Sequence, residues 1–288
     1  MTMKTILVPL EESDGLVSML ETAALVAARF GSYVEGMYVQ PALTEVVAAG
    51  AEGLGVSTPN LLQTFEQEDR ERTARVHEVF QSMVRAKGLA PASDAPVKTE
   101  APSARWLERT SPSDIAIGSH GRIFDLIVVG RPVQGKPTPA MSTLEAALFD
   151  SGRPLIIAPP SPPASVGNVC VIAWNGSEET ARAIALATPF LNRAQKVHVL
   201  TIEGATVAGP SGQEVADMLR RNGLDATAST RIGDRRTSGA ATLEEAQALG
   251  CDLLIKGAYT ASRVRQMIFG GTTSHIFANA DIPVFTCE

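Results

Sequence analysis

Runs of isoleucine, leucine and valine separated by polar, alanine-rich stretches recur along the chain, and the whole arrangement occurs twice. Lys4–Ser13 (KTILVPLEES) aligns with Asn168–Ser177 (NVCVIAWNGS), each an apolar run, a polar turn and the start of a helical segment. Asp125–Gly130 (DLIVVG) aligns with Asp252–Gly257 (DLLIKG), and Arg153–Pro159 (RPLIIAP) with Ile282–Cys287 (IPVFTC). Between these anchors each half carries a second strand, Tyr33–Val39 or Lys196–Ile202, then a helical stretch and a weaker strand near Val97–Glu100 or Ala226–Arg231. Short, continuously apolar strands alternating with segments of period 3.6 predict a parallel sheet covered on both faces. Each half therefore reads β-α-β-α-β-α-β-α-β. The fold class is α/β, with two doubly wound five-stranded parallel-sheet domains in tandem.

The helices are marked at their ends. Glu214–Gly223 places Val215, Met218 and Leu219 on one face and stops at Asn-Gly. Ser177 caps a segment whose first residues are acidic, which suits a helix N-terminus. Ala158–Gly167 (APPSPPASVG) is a proline-rich, semi-rigid linker, so the domains are expected at 1–160 and 167–288. The first half is longer mainly through Pro41–Thr64, whose AAGAEGLG core reads as a mobile loop. The last strand of each half, Pro154–Ala158 and Pro283–Cys287, is a bare apolar edge. Pairing the two about an approximate two-fold axis covers both, which predicts an intrachain pseudo-dimer.

Composition narrows the classes. At 288 residues, with 44% hydrophobic and 19% charged positions, the chain suits two globular domains and is too apolar for disorder. No window approaches the roughly 20 apolar residues of a membrane-spanning helix, so no membrane partner is expected. Met1–Glu12 reads as a strand and not as a secretory signal. A net charge of −6 argues against a broad nucleic-acid footprint. Cys170, Cys251 and Cys287 form no metal or CxxC spacing and read as small buried residues in a reducing cytoplasm, and the four histidines form no metal cluster.

In open α/β sheets, ligands bind beyond the carboxyl ends of the strands where the strand order reverses. In the second half that brings the turn Ala173–Ser177 beside the loop opening at Gly257, which closes with Gly270-Gly271-Thr272-Thr273 as a helix begins. Glycines let backbone amides approach an anion, and a helix N-terminus adds unpaired donors and the positive end of its dipole. A phosphate suits this arrangement. No Gly-Lys-[Ser/Thr] of a Walker loop and no GxGxxG after a first strand is present.

These residues resemble the universal stress protein family in its tandem, two-copy form, over nearly the whole chain. Nucleotide-binding members carry G-x2-G-x9-G-[S/T] after the fourth strand and an acid in the turn after the first. Here Gly257, Thr260, Gly270, Gly271, Thr272 and Thr273 keep the spacing, with threonine for the second glycine and glycine at the following hydroxyl position. Asn175 stands at the acid's position and Ala173 at that of a proline. The resemblance implies an adenine nucleotide, ATP, with Ala173 and Asn175 near base and ribose and Thr201 and Ile202 along the adenine. Gly257, Thr260, Gly270, Gly271, Thr272 and Thr273 would surround ribose and phosphates. Asn175 can still hydrogen-bond a ribose hydroxyl, but being neutral it would hold Mg weakly, and the Cβ of Thr260 weakens the cradle.

The first half departs further. Glu11 replaces the shorter acid, and the loop after Gly130 carries Pro132 and two later prolines with no glycine pair before Ser142, so this half reads as a structural partner. Arg263 and Arg265 read as solvated, His275 as a helix-surface or interface residue and Trp174 as a packing residue. No nucleophile–base–acid set emerges, so no catalytic residue is assigned and at most slow ATP hydrolysis is expected. The leading reading is a cytoplasmic, ATP-binding universal stress protein with a stress-response or signalling role. Two alternatives stay open: an interaction module of the same fold that binds no nucleotide, and an ATP-using enzyme of the wider adenine-binding α/β group. Assembly into a homodimer and the identity of a protein partner are also left open.

Overall fold

The computed structural model describes residues 3–39, 58–92, 101–107, 113–133, 135–136, 138–233, 237–258 and 271–288. The first half contains β1 (Thr5–Leu10), α1 (Leu16–Phe30), β2 (Tyr33–Tyr38), α2 (Thr58–Ala86), β3 (Ala90–Pro91), β4 (Ser103–Leu107), α3 (Ser113–Gly121) and β5 (Leu126–Val129). It ends with α4 (Met141–Glu145), continued by a π-helical turn (Ala146–Asp150), and β6 (Leu155–Ile157). The second half contains β7 (Val169–Trp174), α5 (Glu178–Leu191), β8 (Lys196–Ile202), α6 (Gly212–Arg221) and β9 (Ala226–Arg231). It continues with α7 (Ser238–Ala248), β10 (Leu253–Gly257), α8 (Thr272–Asn279) and β11 (Val284–Cys287).

The strands among the described residues join one 11-stranded sheet in the order β3-β4-β2-β1-β5-β6-β11-β10-β7-β8-β9. Pairing is parallel within each half, as between β1 and β5 or β7 and β10, and antiparallel where β6 meets β11. There Ile157 stands opposite Val284 and Leu155 opposite Thr286. The two apolar edges thus cover each other in the expected pseudo-dimer.

Two expectations change. The weaker first-half strand near Val97–Glu100 falls outside the described residues, and Ser103–Leu107 takes the place beside β2, with the two-residue β3 beyond it as a sixth strand. The insertion expected as a loop from Pro41 to Thr64 is helical from Thr58 onward, because α2 extends for 29 residues from there. The rest of that insertion, 41–57, lies outside the described residues.

Local chemistry sets the ends of the elements. Ser177 caps α5 by accepting from the Thr180 amide, Ser211 and Glu214 form a reciprocal capping box on α6, and α1 stops at Gly31 with φ 61°. Packing follows from the crossovers. One face of the sheet carries α1, α2, α5 and α6 over Val8, Ile156, Ile255 and Phe285. The other carries α3, α4, α7 and α8 over Leu7, Ile127, Val171 and Leu254. Because both faces are covered, successive residues such as Leu7 and Val8 are both fully buried.

The halves are also joined beside the sheet. Arg29, at the end of α1, donates to the carbonyls of Gly167 and Arg193 and to Asn168 Oδ1, while Arg193 donates back to the Arg29 carbonyl and lies over the Phe30 ring. Phe30 meets Phe190 edge-on with centroids 4.9 Å apart. The reciprocal arginines repeat, in side chains, the approximate two-fold relation of the sheet. The three cysteines are free and buried. Burial raises the thiols, Cys251 to about 12 and Cys287 to about 11, which leaves them unreactive near neutral pH.

Candidate functional site

The strand order reverses at β7. It lies between β8 and β10, with α5 leaving its end on one face and α8 following β10 on the other. The crevice at the carboxyl ends of β7 and β10 is therefore a switch point. Asn175 begins the turn there, and its Oδ1 accepts from the Ser177 amide at 3.2 Å and the Thr180 hydroxyl at 2.7 Å. Those two donors leave Nδ2 as the group free to meet a ligand acceptor.

A segment following β8 folds over this turn. The Asn175 carbonyl accepts from Val207 N at 2.8 Å, and Trp174 Nε1 donates to the Pro210 carbonyl at 2.8 Å. Gly176, at φ 87°, runs so close to this segment that a Cβ would lie 2.6 Å from the Val207 carbonyl oxygen. Trp174, 6% exposed, is thereby held between strand and segment.

The expected site residues separate into three groups. Ala173 and Ile202 lie on the face that carries α8, whereas Thr201 points to the opposite layer, where Gly212 at the start of α6 approaches its Oγ1. Gly257 ends β10 against the first turn of α5: a Cβ there would lie 2.5 Å from Glu179 C and Thr180 N. Close backbone packing alone therefore requires glycine at 257. Gly271 is the N-cap of α8 at φ 114°, with open space where a Cβ would stand. Thr272 shares a hydrogen bond with Ser238, the first residue of α7, so the N-termini of α7 and α8 meet. Thr273 follows in the first turn, partly exposed. Thr260 and Gly270, like Arg263 and Arg265, lie outside the described residues. His275 is exposed on α8 and touches α7 where Gly239 leaves room for it.

The equivalent place in the first half is closed by the chain itself. Glu11 is 6% exposed, and its carboxylate accepts from the Ala140 amide at 2.8 Å and from the Thr143 hydroxyl at the start of α4. The loop after β5 is fastened across the same turn. Thr138 donates to the Glu12 carbonyl at 2.6 Å, Lys136 pairs with Asp14, and a Cβ on Gly130 would lie 2.6 Å from Pro139 Cγ. A built-in anion stands at this helix start.

Lys256 is a residue that the sequence pattern signalled but did not explain. It is the single charge in an apolar strand run, it is 7% exposed, and its ammonium donates to the Gly257 carbonyl at 3.2 Å. Burial pushes its pKa down to about 8, against a smaller opposing pull from the Glu179 carboxylate. No group of three or more metal-ligating side chains occurs among the described residues, and no helix among them is long and apolar enough to cross a membrane.

Comparison with known proteins bears on this same half. Residues 168–287 match the universal stress protein family. The match begins just before β7 and takes in the turn at Asn175, the end of β10 and the whole of α8. A relative named universal stress protein Slr1230, from Synechocystis, is 24% identical over 301 residues, covering 99% of each chain. Among solved structures, a universal stress protein from Archaeoglobus fulgidus superposes with a TM-score of 0.71 at 17% identity, covering 100% of this chain and 97% of that one. Protein PA1789 of Pseudomonas aeruginosa gives 0.53 at 13% identity, over 99% and 92% of the two chains. These likenesses establish the mostly parallel α/β fold along the full length, and the tandem arrangement fits it.

Proposed function

We propose that the chain is a tandem universal stress protein, with domains at 1–160 and 167–288, whose second domain binds an adenine nucleotide, ATP, and whose role is stress response or signalling. The observation that carries this reading is the contrast between two related helix starts. In the first half a buried carboxylate accepts from the amide at the beginning of α4; in the second, α8 opens at Gly271, which has no side chain of its own to cap the helix, in the half that matches the family. A helix start without its own acceptor favours an anion, and phosphate is the anion whose oxygens accept several amides at once. Asn175 Nδ2 would meet a ribose oxygen, and Ala173 and Ile202 would lie along the base. A bound Mg would be held by the phosphates more than by the neutral Asn175.

Gly271→Val tests the reading. A β-branched residue at φ 114° is strained by about 1–3 kcal/mol although no atom obstructs its Cβ. The variant should fold and should lose the thermal stabilisation that saturating ATP gives the parent, roughly 2.7 kcal/mol at 100 times Kd. Equal stabilisation of both proteins by ATP, or of neither, removes the helix start from the site. Stabilisation of neither would put the interaction-module reading in its place.

A further inference from the structure

Lys256 and Thr286 stand in register on β10 and β11. Both side chains lie on the face that carries α8, because Leu254 and Val284, two residues earlier on the same strands, belong to that layer. The hydrogen bond to the Gly257 carbonyl holds the Lys256 ammonium at the carboxyl end of the sheet. Since α8 connects the carboxyl end of β10 to the amino end of β11, its N-terminus lies at that same end and on that same face.

Both side chains are under-satisfied. An ammonium has three donors, and this one reaches a single main-chain oxygen. Glu179 acts on it through space without a hydrogen bond. Thr286 is fully buried and its Oγ1 has no hydrogen-bond partner. Buried charges and hydroxyls are normally paired, so two under-satisfied groups side by side on adjacent strands would stabilise an acceptor brought between them. An anionic acceptor suits this place, because an ammonium stands there and α8 begins at the same end and on the same face of the sheet.

We infer that Lys256 and Thr286 form the floor of an oxyanion subsite closed by the N-terminus of α8, and that this subsite receives the terminal phosphate of the nucleotide. The identity of the ligand rests on the nucleotide reading above, whereas the phosphate chemistry rests on these residues. Lys256 is a binding residue here: it supplies positive charge that Asn175 and the loop glycines do not. A phosphate arriving beside it stabilises the charged ammonium that burial disfavours.

The test compares the full-length parent with Lys256→Met and Thr286→Val by calorimetric titration of ATP, adenosine and inorganic tripolyphosphate, and by melting each protein without ligand. Lys256→Met should melt higher than the parent, because an unpaired buried charge gives way to an apolar chain of similar length. It should bind ATP about 10–100-fold more weakly, as expected for a lost charge-assisted contact, bind adenosine unchanged, and lose tripolyphosphate. Thr286→Val should weaken ATP several-fold without melting lower. A Lys256→Met protein that melts lower and binds ATP like the parent overturns the subsite and makes Lys256 a structural partner of Glu179. A parent that binds ATP and adenosine equally also overturns it while leaving the nucleotide reading intact. Binding of tripolyphosphate but of no nucleotide keeps the subsite and overturns the nucleotide, and binding of neither overturns both.

Discussion

Replacing Glu11 by alanine should destabilise the first half markedly. The carboxylate is 6% exposed and accepts from the Ala140 amide at 2.8 Å and from the Thr143 hydroxyl. Two hydrogen bonds to a charged acceptor contribute about 1.5–3 kcal/mol each, and the cost of burying the carboxylate offsets part of that sum. Alanine also leaves the amide and the hydroxyl without their acceptor, so the net loss should be about 3 kcal/mol. For a chain of this size that corresponds to a fall in Tm of about 6–12 °C. Thermal unfolding followed by circular dichroism, with urea midpoints alongside, measures it directly. Glu11→Gln keeps the length and one acceptor oxygen and should lose about half as much. If Glu11→Ala melts within a degree of the parent, the carboxylate does not hold the start of α4, and the contrast between the two halves loses its physical basis.

Gly257→Ala should destabilise by about 1–3 kcal/mol, since the added methyl meets backbone atoms of Glu179 and Thr180 at 2.5 Å and α5 must move off β10; an unchanged urea midpoint would show that the contact is slack. The lowered pKa of Lys256 gives a pH signature. Between about 8, its folded value, and 10.5, its ordinary one, the unfolded chain holds a proton that the folded chain has lost, so stability rises with pH through that window. The same gap corresponds to about 3 kcal/mol of cost below pH 8. The advantage of Lys256→Met over the parent should therefore shrink from pH 8 toward 10.5, and an advantage constant with pH would place the ammonium in a better-solvated setting. Glu179, on α5, acts on it through space, and the buried thiols are common to both proteins, so they cancel in the comparison.

Much of the fold was legible because parallel strands buried on both faces leave unbroken apolar runs. Lys4–Leu10 and Asn168–Trp174, or Leu126–Val129 and Leu253–Gly257, announce themselves in this way. The pairing of β6 with β11 was legible for a related reason: two apolar edges in one chain have each other to cover. Ser103–Leu107 was not, because an edge strand is covered on fewer sides and its pattern mixes serine, arginine and tryptophan. The start of α2 at Thr58 was hidden behind the glycine-rich stretch that precedes it. In the site, the glycine spacing and the helix start were readable, but their causes were not. Gly257 is fixed by α5 as well as by any ligand, and Glu11 reaches a helix start 129 residues away, a relation that exists only once the chain is folded. Lys256 did leave a trace, a charge inside an apolar strand, whose meaning depends on Thr286 standing in register beside it.

The most direct test is a calorimetric titration of the full-length protein with ATP, which reads stoichiometry and affinity together. One site per chain, abolished by Gly271→Val, is the outcome expected from an open helix start in the second half and a closed one in the first. Two equivalent sites per chain, or no heat and no stabilisation at millimolar ATP, would contradict it.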